Sequence, residues 1–263
     1  MTAATTWAAL RTVARNLRNT RHEPEVPFMR ALLRPGDTCL HVGASDGRHS
    51  YVMSEAIGAD GHIYAFEPAS YSFAVLHRAC RLHGLRNITL EHAAVSDSEG
   101  ELLLNTPIKR SGRPGRSFAF VSRDTAPMRA DVANLGGAAE TVPSLTIDDY
   151  VARHRIGRVD FIRCDVEGAE IGVLRGAAAT LDRWLPWLLL EIHPDILRDQ
   201  FDSSAEEVVA LLKDRGYRMF MLDDKAPVET DAVLAGAPWK DYFFIHPSQA
   251  AAQQPGPFAD FFR

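Results

Sequence analysis

The chain has 263 residues, 46% apolar and 24% charged, with a formal charge of −5. That length holds one large α/β domain or two small ones, in an ordinary globular composition. The acidic balance argues against nucleic acid as main partner, and no apolar run approaches the roughly 20 residues that span a bilayer.

The N-terminus has no secretory apolar core. Residues 7–18, "WAALRTVARNLR", predict a basic amphipathic helix. Such helices serve as transit peptides or membrane-surface anchors, but packing on the domain edge is the simpler reading. Residues 1–30 are accordingly taken as a helical extension, 31–248 as the main domain and 249–263 as a flexible tail. Cys39, Cys80 and Cys164 show no metal spacing and cannot all pair, so they read as buried thiols of a reducing cytoplasm.

Seven apolar runs follow in chain order: "TCLHVG" (38–43), "HIYAFEP" (62–68), "NITLEHAAV" (87–95), "VDFIRCDV" (159–166), "WLLLEIH" (187–193), "YRMFML" (217–222) and "YFFIHP" (242–247). Helix-length segments separate them, including "RHSYVMSEAI", "SYSFAVLHRACRLHG" and "SAEEVVALLKDRG". Strands alternating with helices predict a mostly parallel sheet covered on both faces. Residues 105–142, rich in Gly, Pro, Arg and Ser, break this rhythm and read as an insert. Its Lys109, Arg110, Arg113 and Arg116, near Phe118 and Phe120, read by default as a solvated loop, with an acceptor lid as the alternative.

"HVGASDG" (41–47) is a strand, a turn and a helix start. Gly43 and Gly47 allow close backbone approach to a ligand, and Ser45 and Asp46 lie between them. Glu67 ends the next strand, 20 residues past Gly47, where an acid accepts both hydroxyls of a ribose. The turn is not G-x-G-x-x-G, no G-K-[ST] follows, and Asp46 would repel phosphate. The spacing favours S-adenosylmethionine, which carries an amine and a sulfonium.

"HVGASDG", "FEP", "AAVSD" and "FIRCDVEGAEIGVLRGA" together resemble the motifs of FkbM-type S-adenosylmethionine-dependent methyltransferases, over roughly residues 38–247. The resemblance implies a Rossmann-like α/β fold with a seven-strand sheet, and O-methylation of sugars or natural products, with a mannoside in polysaccharide synthesis as the nearest fit. It implies that Gly43 and Gly47 line the methionine end of the cofactor, that Glu67 holds the ribose and that Ala94 flanks the adenine. Family members commonly carry an acid in place of His41 and Lys in place of Arg163.

A sugar hydroxyl is a weak acid, so methyl transfer to it needs a base, a metal, or both. Asp165 and Glu191 end neighbouring strands, and His193 follows closely. The three are expected to converge, with Asp165 also touching the cofactor. Two carboxylates and a histidine suit Mg²⁺. Otherwise His193 is the base, neutral and with a pKa near neutrality. Glu167 and Glu170 are expected mainly to offset a helix dipole. The expected partner is a small-molecule acceptor, with neither nucleic acid nor membrane, and homo-oligomerisation is left open. N-methylation of an amine and a non-catalytic cofactor-binding scaffold are the alternatives.

Overall fold

The computed structural model describes residues 3–19, 23–107, 120–122, 137–223 and 226–250. Two helices, α1 (Ala3–Asn19) and α2 (Glu25–Leu32), precede the first sheet strands. β1 (Thr38–Val42), α3 (Arg48–Ile57), β2 (His62–Phe66), α4 (Ser70–His83) and β3 (Ile88–Glu91) then alternate. The three strands pair in parallel.

The run expected as one strand over 87–95 divides after β3. β4 (Ala94–Val95) leaves the main sheet and pairs instead with β7 (Gly137–Leu145). β5 (Gly100–Pro107) lies antiparallel to β7 from Gly100↔Ser144 to Pro107↔Gly137, and β6 (Phe120–Ser122) borders β5. The expected insert is therefore rooted in a second, four-stranded sheet. Leu104 and Val142 tie that sheet to Ala69 and Ala94 in a small apolar cluster. Lys109, Arg110, Arg113, Arg116 and Phe118, and residues 251–263 of the expected tail, lie outside the described residues.

The chain returns to the main sheet through α5 (Ile147–Arg153), β8 (Phe161–Cys164), α6 (Glu170–Arg175), α7 (Ala178–Trp184), β9 (Trp187–Ile192), α8 (Pro194–Phe201) and α9 (Ala205–Lys213). β10 (Arg218–Asp223), β11 (Ala226–Glu229), β12 (Lys240–Ile245) and α10 (Pro247–Ala250) complete it. The order is β11-β10-β12-β9-β8-β1-β2-β3, eight strands rather than the seven expected. β12 runs antiparallel between β9 and β10, and β11 adds an outer hairpin strand.

Side-chain alternation along the strands divides the core in two. Leu40, Val42, Ile162, Cys164, Leu188 and Leu190 pack under α5, α6 and α9. Cys39, Ile63, Phe161, Leu189 and Phe243 pack under α2, α3 and α4. Burial of both faces explains why the strands read as continuous apolar runs. α1 lies on α4, with Ala8 and Ala9 against Val75 and Ala79.

Candidate active site

The alternation that builds the core also aims the polar residues. Cys39, Phe161, Leu189 and Phe243 face α2 and α3. Two residues on from Cys39, Phe161 and Leu189, and two before Phe243, come His41, Arg163, Glu191 and Asp241, so all four belong to that face. Register sets His41 beside Arg163 and Glu191 beside Asp241 at the carboxyl ends of the parallel strands. There a pocket opens, lined by His41, Gly43 to Asp46, Arg48, His49, Phe66, Glu67, Ala94, Leu104, Asp165 and Glu167. Ligands of open α/β sheets bind at these strand ends.

Gly43 has φ 77°, and a Cβ there would lie 1.8 Å from the Asp165 carbonyl oxygen. Its need for glycine comes from the neighbouring strand end, where the sequence had pointed to a ligand. Gly47, at φ 84°, caps α3, and a Cβ there would meet Leu76 Cδ1 at 2.6 Å. It does not line the pocket wall directly. Ser45 adopts φ 50°, a sparsely populated conformation for a residue with a side chain, and its N–H donates to Glu67 Oε2 at 2.7 Å. The Ala69 N–H donates to Oε1 at 2.8 Å. Each carboxylate oxygen thus has one backbone donor and a remaining lone pair. Burial raises the Glu67 pKa to about 7 despite these two backbone hydrogen bonds. The residues fit a nucleoside with a cationic tail: a fixed carboxylate for ribose, Phe66, Ala94 and Leu104 as apolar wall, and Asp46 and Asp165 as acids. Asp46 Oδ2 also accepts a hydrogen bond from Thr12 Oγ1 on α1, at 2.9 Å.

Arg163 is 1% exposed and stands among three carboxylates. Its Nη2 lies 3.4 Å from Asp165 Oδ2 and 3.2 Å from Glu191 Oε2, and its Nη1 lies 3.1 Å from Asp241 Oδ1. Burial alone would weaken its hold on the proton, but the three acids more than offset this and keep the guanidinium charged. Asp165 and Glu191 do converge, but onto a fixed cation. That arrangement does not fit Mg²⁺, which would have to displace a buried guanidinium from the same oxygens. Glu191 is not part of the pocket wall. Burial first, and then Asp165, raise its pKa to about 8.

His193 is also corrected. It is 3% exposed and does not line the pocket. Its Nε2 lies 3.2 Å from Glu167 Oε2 and 3.4 Å from Glu191 Oε1, and its Nδ1 lies 3.3 Å from Glu170 Oε1. Burial opposes its charge, but hydrogen bonds to Glu167 and Glu170 outweigh it and raise the pKa to about 10. At neutral pH it is an imidazolium with no free lone pair, unable to take a proton from an acceptor. The acids of "DVEGAE" do more than offset a dipole: fully buried Glu170 also accepts from the Gly168 N–H at 2.9 Å, and together with Glu167 it holds His193 in place.

The proton held by His193 has a measurable consequence. Its folded pKa of about 10 exceeds the unfolded value of 6.5. The folded chain therefore binds more protons between these values, and stability falls as pH rises through them. Denaturant unfolding from pH 6.5 to 10 should show this decline, and His193→Gln should flatten it. An unchanged slope in the variant would remove the imidazolium from the core.

His41 is buried, with Nδ1 2.7 Å from Ser50 Oγ. Burial, with His49 and Arg163 nearby, holds its pKa well below the usual range, so it is a neutral wall residue. The sequence reading missed Arg163 as a clamp, although a charged residue inside "DFIRCDV" was a visible signal. It also missed Thr12, for which no local signal exists.

A family model described as the methyltransferase FkbM domain matches residues 41–219. Similar solved structures include an FkbM methyltransferase from Methylobacillus flagellatus, 14% identical, covering 90% of this chain and 58% of that one, with a TM-score of 0.49. An S-adenosylmethionine-dependent methyltransferase from Aquifex aeolicus is 16% identical, with 89% and 96% covered and a TM-score of 0.44. Fibrillarin from Aeropyrum pernix, with natively bound S-adenosylmethionine, is 20% identical, with 90% and 76% covered and a TM-score of 0.43. This chain thus spans little more than half the length of the Methylobacillus protein. No curated protein matches it. With the family model over more than half of the chain, the protein belongs to the FkbM family of S-adenosylmethionine-dependent methyltransferases.

Proposed function

We propose that this methyltransferase methylates a hydroxyl of a small carbohydrate or glycosylated metabolite, with a mannoside of polysaccharide synthesis as the preferred acceptor. The observation that carries this reading is the pair of carboxylates, Asp165 and Glu167, on the pocket wall beyond the turn that includes Gly43 and Ser45. Carboxylates accept hydrogen bonds from paired sugar hydroxyls, and they favour a cationic cofactor. Bound S-adenosylmethionine supplies an electrophilic methyl group. Gly43, Ser45, Asp46 and Gly47 shape the turn around its methionine end, Glu67 orients the ribose and Ala94 borders the base. Asp165 aligns the acceptor and receives its proton, while Arg163 fixes the carboxylate. Glu191 and His193 act through their neighbours as positioning residues.

The same acidity suits an ammonium, so N-methylation of a small amine is the second reading. The test is incubation with methyl-labelled cofactor and a panel of mannosides, other glycosides and amino sugars, with products resolved by mass spectrometry and NMR. Label in a methyl ether supports the proposal. Label found only on nitrogen, or no turnover with any glycoside, overturns it.

A further inference from the structure

A second cluster lies against the methyl-transfer pocket. Glu23 precedes α2, Glu25 opens it, and His49 sits in the first turn of α3. His49 Nε2 lies 3.1 Å from Glu25 Oε1 and 3.5 Å from Glu23 Oε2. One ligand atom from each residue lies within 4.8 Å of the other two. Glu25 and His49 are each 6% exposed. Glu23 Oε2 is shielded from solvent and accepts no hydrogen bond from the described residues, although a buried carboxylate oxygen ordinarily has a donor. Arg48 is ion-paired with the other oxygen of Glu23. It anchors that carboxylate and leaves Oε2 facing the cluster.

This differs from the Asp165–Glu191 pair, where a guanidinium already bridges the oxygens. Here, among the described residues, the imidazole edge lies between the two carboxylates, and a metal replaces its proton on binding. Two carboxylate oxygens and one imidazole nitrogen suit a first-row dication better than Mg²⁺, which prefers oxygen throughout.

We propose that Glu23, Glu25 and His49 form a binding site for a divalent transition metal of the Mn²⁺ or Zn²⁺ type beside the methyl-transfer pocket. Because His49 and Arg48 line that pocket, the ion would stand at its wall, within the chain's own reach of a bound acceptor. Its role in transfer rests on the methyltransferase reading. The binding site itself does not.

Full-length protein stripped with chelator should be titrated calorimetrically with MnCl₂ and with ZnCl₂, with Mn²⁺ also followed by electron paramagnetic resonance. One ion per chain is expected. Glu25→Gln and His49→Gln should each weaken binding by about a hundredfold or more, whereas Asp165→Asn should leave it unchanged. Circular dichroism checks that each variant folds. Should one unfold, Glu23→Gln, at the most exposed ligand, decides instead. The site is refuted if the stripped protein binds neither ion, if the variants bind like the parent, or if Asp165→Asn abolishes binding. S-adenosylhomocysteine titrated into the same samples separates two failures. Cofactor binding without ion binding refutes only the metal site, and loss of both in the parent refutes the methyltransferase reading as well.

Discussion

Arg163→Met should cost about 3–5 kcal/mol of folding free energy, the usual penalty for removing one partner from a buried ion pair. The guanidinium is fully enclosed and ion-pairs with Asp165, Glu191 and Asp241 at once, and it donates to the carbonyls of Cys164 at 3.0 Å and Leu189 at 3.5 Å. Without it, three carboxylates share one half-dry space and must take up protons. The penalty should therefore grow as pH rises, because the folded variant binds protons that its unfolded chain releases. Arg163→Lys should lie between parent and methionine variant, since one ammonium cannot reach three carboxylates in the fork geometry of a guanidinium. Urea unfolding at several pH values reads all of this. A methionine variant within about 1 kcal/mol of the parent at neutral pH would show that the acids are not dependent on the arginine.

Glu67→Ala should weaken S-adenosylhomocysteine binding by about ten- to a hundredfold, the worth of roughly 1.5–3 kcal/mol in charged hydrogen bonds. Both oxygens are fixed by the N–H groups of Ser45 and Ala69, so the carboxylate needs no reorganisation to meet a ribose. Its pKa of about 7 adds a second signature. The ionised form is the better acceptor of two hydroxyls, so affinity should rise from pH 6 to 8 in the parent and stay flat in the variant. Calorimetry at the two pH values measures both effects. Undiminished affinity in a folded variant would place the ribose elsewhere.

The parallel half of the sheet was legible because burial on both faces leaves a local signature: "TCLHV", "HIYAF" and "WLLLEI" are mostly apolar on both faces. The order of the last strands was not. Whether β12 enters between β9 and β10 depends on chain reversal after β10, and periodicity does not encode that. The second sheet escaped because β5 and β7 are separated by a long segment, frequent in Arg, Gly, Pro and Ser, that shows no sustained period. At the site, Gly43 to Asp46 of the glycine turn, Glu67, Ala94 and Asp165, which lie far apart in sequence, line one pocket. His193 was misread because its charge is set by Glu170, 23 residues earlier, and by Glu167. Glu25 stands 24 residues before His49, and only the packing of α2 on α3 brings them together.

The hydrogen bond from Thr12 to Asp46 makes the first helix a latch on the turn around the cofactor site. That helix rests on α4 through Ala8, Ala9, Val75 and Ala79, with partly buried Val13 and Tyr71 packed against them. Linkage makes the effect reciprocal. Ligand in the pocket should slow amide exchange along residues 8–16, and a chain trimmed of that helix should release its cofactor product sooner. The residence time of spent cofactor is then governed partly by a segment that contributes nothing to the chemistry.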